Sequence, residues 1–167
     1  PTWSQVDTNS PGLPNRIVLR ITIDANDNNK VYVTFSGFND DNVWRSTDGG
    51  SNWTDITGGN SPAGLPDLPA RSLVIHPDNS NWLYVGTELG IFASEDGGAT
   101  WGLPHDGPTN TSVDELFWIN NTLVAATHGR GLFTVQVQVP SNCFTLTVAV
   151  SPVGGGSASA NPPTNCS

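Results

Sequence analysis

The sequence predicts an all-β protein built from repeated four-stranded antiparallel units, and three observations lead there. Ser46-Thr47-Asp48-Gly49-Gly50-Ser51-Asn52-Trp53 returns as Ser94-Glu95-Asp96-Gly97-Gly98-Ala99-Thr100-Trp101, both reading S-x-D-G-G-x-x-W, with the serines and the tryptophans each 48 positions apart. A period of roughly 40 to 50 residues belongs to propellers and solenoids. The composition, 18 Gly, 13 Pro, 6 Trp and no Met with only 13% charged residues, is that of a turn-rich β chain. Short runs of β-branched and aromatic residues are separated by Asn, Asp and Gly clusters, and no stretch carries a helical period.

In chain order, Trp3-Ser4-Gln5-Val6 followed by a turn-rich stretch through Pro14 parallels Trp53-Thr54-Asp55-Ile56 followed by a similar stretch through Pro66. The chain is therefore expected to open in the last strand of a repeat. Ile17 to Ile23 and Val31 to Phe35 read as two antiparallel strands around the polar loop Asp24-Ala25-Asn26-Asp27-Asn28-Asn29. Asn42 to Arg45 is a third strand running into the first Gly-Gly turn, and Trp53 to Ile56 a fourth. The second unit repeats the order: Ser72 to Ile75, the loop His76 to Asn79, Leu83 to Gly86, Ile91 to Ala93, the second Gly-Gly turn, and a short fourth strand at Thr100-Trp101. The third begins at Glu115 to Ile119, turns at Asn120-Asn121, continues through Thr122 to Ala126, and reaches Gly131-Leu132-Phe133, which aligns with Gly90-Ile91-Phe92. Where Ser94 should recur stands Val135, so the motif is missing from the third unit.

The character changes near Val137, which divides the chain into 1–137 and 138–167. Pro140-Ser141-Asn142 reads as a linker, Phe144 to Val150 alternates as a strand, Gly154-Gly155-Gly156 is a turn, and Ser157 to Ala160 a weaker returning strand. Such a hairpin alone is marginally stable. A Cys143–Cys166 disulfide would close it, contributing on the order of 3 kcal/mol in an oxidising compartment; two unpaired thiols are the alternative.

A net charge of −9 with six basic residues excludes nucleic acid, whose phosphates demand clustered Lys and Arg, and disfavours an anionic membrane surface. No apolar run approaches the ~18 residues of a membrane helix, so membrane insertion is not expected. The start at Pro1, without Met or a signal-peptide pattern, suits a mature product or a piece of something longer. Scarce Lys, abundant Asn, Thr, Ser and Gly, and two cysteines suit a secreted or cell-surface protein.

The repeated motif has a mechanical explanation. Asp caps tight turns by accepting backbone N–H bonds, glycines supply positive φ, and a Trp can fold back over the hairpin as an apolar plug. Ser46, Asp48, Gly49, Gly50 and Trp53, with Ser94, Asp96, Gly97, Gly98 and Trp101, are on this reading structural. The motif resembles the Asp-box, or BNR repeat, of sialidases, xyloglucan-cleaving glycosidases, sortilin-type receptors and bacterial surface proteins, over about Trp3 to Val135. The ending Ala126-Thr127-His128-Gly129-Arg130-Gly131-Leu132-Phe133 is similar to the final blade of such propellers, and the tail to the start of small β-repeat modules of bacterial surface proteins. The resemblance implies a partial β-propeller of four-stranded antiparallel blades plus a C-terminal β-hairpin module. Such folds use about six to eight blades, so it further implies the C-terminal blades of a larger propeller, completed by other blades or by further copies of the chain.

The resemblance puts the Asp-boxes on the periphery, away from a substrate face. Sialidases need an arginine triad and a Tyr nucleophile, and Arg16, Arg20, Arg45, Arg71 and Arg130 have no matching context. A glycosidase needs two carboxylates across a cleft. Asp114-Glu115 opens an innermost strand, with Arg20 and Arg71 near the equivalent place in the other units, which offers a polar channel-facing surface or a plainly solvated lining. His76, His105 and His128 lack metal-ligand spacing. The loop from Asp24 imitates a calcium loop but has Asn29 where Gly is needed and Phe35 where Glu is needed. Sequons at Asn52, Asn110, Asn120 and Asn165 are candidate glycosylation sites. The expected function is a non-catalytic scaffold, adhesion or surface-assembly module that binds glycan or protein; the alternative is a sialidase- or xyloglucanase-like glycoside hydrolase with catalytic residues in other blades.

Overall fold

The computed structural model describes residues 2–3, 5–7, 12–59, 61–103 and 107–139. Cys143, Cys166, Asn165, His105 and the expected C-terminal hairpin lie outside these residues. Among the described residues ten strands form, and all fall within the compact unit Pro1–Val137. They are β1 (Val18–Ile23), β2 (Val31–Phe35), β3 (Val43–Ser46), β4 (Thr54–Asp55), β5 (Ala70–His76), β6 (Asn79–Thr87), β7 (Gly90–Ser94), β8 (Val113–Ile119), β9 (Thr122–Thr127) and β10 (Gly131–Gln136).

The strands make three antiparallel meanders in chain order, β1-β2-β3-β4, β5-β6-β7 and β8-β9-β10. These are successive propeller blades: the first strand of each packs beside the first strand of the next, β1 against β5 and β5 against β8. The expected fourth strand of the second blade shrinks to one antiparallel bridge, Ala93 with Gly102. Strand β6 reaches back to Asn79, so part of the expected loop is strand.

Pairing registers align the blades residue by residue. Leu73 opposite Val85, Leu116 opposite Ala125 and Ile21 opposite Val33 occupy the same place in their sheets. Period-2 alternation sends these side chains toward the preceding blade and their neighbours toward the following one. Blades one and two enclose Tyr32, Val43, Ile56, Leu73, Ile75, Leu83, Val85, Phe92 and Trp101, while blades two and three enclose Ile91, Val113, Leu116, Leu123 and Ala125, with Phe133 and Trp118 against them. Leu73 and Leu116 are each 1% exposed, whereas Ile21 is 62% exposed. The same position is core where a preceding blade exists and open surface on blade one. Blade three mirrors this on its far side, where Phe117, Ile119 and Leu132 are exposed.

Both repeated turns are hairpin connections. The first joins β3 to β4, which pair Trp44 with Asp55 and Arg45 with Thr54. Ser46 Oγ donates to Asp48 Oδ1 (2.8 Å) and accepts from Gly50 N (2.8 Å), and Asp48 accepts from Asn52 N (2.8 Å) and Asn52 Nδ2 (2.7 Å). Ser94, Asp96, Gly98 and Thr100 repeat the pattern, with Thr100 Oγ1 replacing the Asn amide at 2.6 Å. Gly49, Gly50, Gly97 and Gly98 all have positive φ, between 68° and 93°, which only glycine adopts without strain.

The tryptophans also reach beyond their own turns. Trp53 Nε1 donates to Val6 O (3.2 Å) and Trp101 Nε1 to Ile56 O (2.8 Å). Val6 and Ile56 are the residues that the parallel between Trp3-Ser4-Gln5-Val6 and Trp53-Thr54-Asp55-Ile56 equates. Each indole thus reaches across to the fourth-strand segment preceding its own blade, and the Trp53 ring also lies over Gly50 of its own turn, so it plugs that hairpin and clasps adjacent repeats together. Packing explains the choice, since an indole carries a large apolar face and one donor, and the seam between sheets offers both a core and a strand carbonyl.

Candidate functional site

Two features stand out: a charged rim where the inner strands begin, and a cleft between the second and third blades. Each inner strand carries a β-bulge at one place: the pairing slips between Val18 and Arg20, between Ala70 and Ser72, and between Val113 and Glu115. Leu19, Arg71 and Asp114 are therefore the extra residues of equivalent bulges, and Arg20, Ser72 and Glu115 the equivalent residues just after them. Bulges re-aim side chains at the rim of a sheet. Arg71 and Asp114, which the sequence marked, share a position; Arg20 shares the next one with Ser72 and Glu115.

The bulges bring these groups together. Arg20 pairs with Glu115 two blades on and donates to Ser72 Oγ (3.4 Å), which itself accepts from Leu116 N (3.0 Å). Arg71 Nε donates to Glu88 Oε1 (3.1 Å) and lies 3.6 Å from Asp114 Oδ1. Asp114 also accepts from Ser112 Oγ (2.9 Å), and its Oδ2 lies 3.5 Å from His128 Nδ1. The four predicted rim residues thus fall into two groups, Arg20 and Glu115 with Ser72, and Arg71 and Asp114 with Glu88, Ser112 and His128. Sequence reasoning did not select Ser72, Glu88, Ser112 and His128 for the rim; Glu88 was hidden because it follows β6 in a loop, where no period marks it. Both groups are partly exposed, so each ion pair contributes little to stability. Their chemical effect is to tie the carboxylates of Glu88, Asp114 and Glu115 to a cation, or to a hydroxyl and an imidazole.

Other predicted groups are structural in their contacts. Asp24 Oδ1 accepts from Asn26 N (2.9 Å) and Asp27 Oδ1 from Asn29 N (3.1 Å), so the acidic loop uses its carboxylates to hold turns. One buried oxygen, Asp24 Oδ2, has no partner, against the six to eight oxygens calcium takes. Among the described residues no group of three or more His, Cys, Asp or Glu side chains is placed to hold a metal. His76 is buried edge-on to Trp82 and Trp118; Nδ1 accepts from Asp78 N (3.1 Å), which leaves Nε2 to donate to Val137 O (3.2 Å). The amide of Asn52 is engaged by Asp48, so a glycan there would compete with the turn. Asn110 and Asn120 are exposed in loops with φ of 56° and 52°.

The cleft has a volume of about 1140 Å³. Ala93, Ser94, Trp101 and Leu103 of the second blade form one wall, and Leu123, Ala125, Phe133 and Val135 of the third the other. Leu123, Ala125 and Phe133 are the register equivalents of Leu83, Val85 and Phe92, the residues that meet Trp101 in the seam between the first two blades. The cleft therefore lies where the third blade would carry its own tryptophan.

Asp48 and Asp96 are the carboxylates with displaced acidity. Their side-chain hydrogen bonds from Asn52 and Thr100 respectively, reinforced by backbone N–H donors, lower each from the usual 3.8 to about 2. These groups sit at turns and serve no proton transfer near neutral pH.

No protein-family model and no curated protein matches the chain. Solved structures do. The GH74 enzyme of Niastella koreensis shares 22% identity with a TM-score of 0.57 over 71% of this chain and 21% of its own. YCF48 bound to a peptide shares 15% with a TM-score of 0.51 over 72% of this chain and 36% of its own. The extracellular domain of a hybrid two-component system from B. thetaiotaomicron shares 20% with a TM-score of 0.55 over 83% of this chain and 17% of its own. The chain thus spans between 17% and 36% of the length of these proteins. At such identities the likeness shows the fold, a partial β-propeller.

Proposed function

We propose that the chain is a non-catalytic scaffold of a secreted or cell-surface protein: consecutive Asp-box blades whose open faces are covered by further blades, and whose charged rim offers a polar surface to a glycan or protein. The observation that carries this reading is the state of the rim carboxylates. Glycoside hydrolysis needs one carboxyl group held as an acid and a second free to act as nucleophile or base. Here Glu88 and Glu115 are engaged by Arg71 and Arg20, and Asp114 by Arg71, Ser112 and His128. Composition supports the extracellular setting, as does the extracellular domain among the similar structures. Residues 138–167 we assign to a separate cysteine-bounded module, for which a mass shift on alkylation only after reduction is the expected signature of the disulfide.

A second reading is favoured by one comparison. The likeness to GH74 enzymes, which include a xyloglucanase from Xanthomonas campestris, fits a glycoside hydrolase with catalytic carboxylates in other blades. Incubation of the natural full-length protein with xyloglucan, β-glucans and sialosides separates the readings. The scaffold reading expects no release of sugar; release by that protein would overturn it.

A further inference from the structure

We infer that Phe38, in the loop between β2 and β3, is the stacking platform for a neutral β-linked glycan. The assignment rests on the reading of this face as a ligand surface, and names the ligand class and the side chain that takes it.

The loop is the extended member of an equivalent set. Residues 36–42 join β2 to β3, where 88–89 join β6 to β7 and 128–130 join β9 to β10. All three lie at the end of the blades where the inner strands begin. Ser36 N donates to Ile17 O (2.9 Å) just ahead of the bulge that precedes Arg20, as Glu88 and His128 stand beside Arg71 and Asp114. Loops on a rigid scaffold are where binding groups concentrate.

Buried partners fix the backbone on both sides of Phe38. Asn42 is 1% exposed; its Nδ2 donates to Gly37 O (2.8 Å), Asn39 O (2.9 Å) and Leu68 O (2.8 Å), and its Oδ1 accepts from Arg16 Nη1 (2.7 Å). Arg16 also pairs with the Asp41 carboxylate and donates to Asp41 O (3.0 Å), which receives Trp44 Nε1 as well (2.8 Å). Gly37 has φ of 109°, and a Cβ there would lie 2.7 Å from Asn39 Oδ1, so only glycine fits the bend ahead of the ring. The Phe38 side chain is nevertheless 71% exposed. An aromatic ring held out by a preorganised loop gives up little freedom when a ligand covers it.

The surroundings select the ligand. Ser36, Gly37, Asn39, Asp40 and Asp41 flank Phe38 in the loop, which makes it a single aromatic in a polar frame. A protein-binding anchor stands instead at the centre of an apolar patch from which a rim excludes water. A pyranose with equatorial hydroxyls suits the polar frame. Its flat C–H face lies on the electron-rich face of the ring, and its hydroxyls point outward to the level of Asn39 and Asp40, both exposed. Anionic sugars are disfavoured, because the chain carries a net charge of −9 and Arg16, the cation of this loop, is committed to Asp41 and Asn42.

Isothermal titration of the full chain with cellohexaose, a xyloglucan oligosaccharide and an oligogalacturonate, each to about 10 mM so that weak binding still registers, tests the assignment. It expects binding of the two neutral probes and none of the acidic one. Phe38→Ala should weaken that binding at least about tenfold, and Phe38→Trp should retain it. The ring is exposed, so both variants should keep the melting temperature of the parent chain. A parent chain that binds neither neutral probe overturns the assignment, and so does a preference for oligogalacturonate. Binding that survives Phe38→Ala but is lost in Arg71→Ala overturns this seat and moves the sugar to the charged rim, which keeps the ligand-surface reading; binding indifferent to both variants overturns both. Sugar release by the natural full-length protein would sink the non-catalytic reading and leave this seat to the titration.

Discussion

At the scale of the residue, the repeated turn shows how a carboxylate can be indispensable without being catalytic. Asp48 and Asp96 each gather the hydroxyl of the preceding Ser, the backbone N–H four residues on and that residue's side chain. Hydrogen bonds to the charged form hold both near pKa 2 against the usual 3.8. A depressed folded-state pKa means that stability is present above the unfolded value and is lost as pH falls through the folded one. Thermal melts are therefore expected to be flat from pH 7 to about 5 in this contribution and to drop between about pH 4 and 2, with Asp96→Asn removing part of that drop. The glycines differ in a way φ alone does not show. A Cβ on Gly98 would lie 2.7 Å from Ile56 Cδ1, whereas one on Gly49 would meet nothing closer than 3.9 Å. Both substitutions cost about 1–2 kcal/mol for the left-handed backbone, and Gly98→Ala should cost measurably more by chemical denaturation, because the neighbouring blade must move.

At the scale of the element, the clasp between blades is the interaction that sequence reasoning did not anticipate. The S-x-D-G-G-x-x-W spacing revealed the turn, its cap and its glycines, because those are local hydrogen-bonding demands written into adjacent residues. It could not reveal where the indole points, since Trp101 meets Ile56 only after two sheets stack. The rim followed the same rule: Asp114, Glu115, Arg20 and Arg71 were legible as charges at strand starts, but the bulge that sets Arg71 beside Asp114 and aligns Arg20 with Ser72 is invisible until strands pair. Trp101→Phe keeps most of the apolar burial and leaves Ile56 O without its donor. A loss of about 1–3 kcal/mol is expected in urea unfolding, against about 3–5 kcal/mol for Trp101→Ala.

At the scale of the whole molecule, a propeller blade is stable on the side where it has a neighbour and exposed where it has none. The middle blade has both of its faces covered; the first and third each show one apolar face to solvent, at Ile21 and Ile23 and at Phe117 and Leu132. Composition and the repeat foretold blades, whereas the open faces became visible only once strand pairing set which side of each sheet is covered. Amide hydrogen exchange, read strand by strand, tests the claim that the blades are an open wedge in which the middle blade is covered on both faces. The account predicts slow exchange in β5, β6 and β7, with β1 and β10 exchanging fast. Equal protection of all ten strands would contradict it.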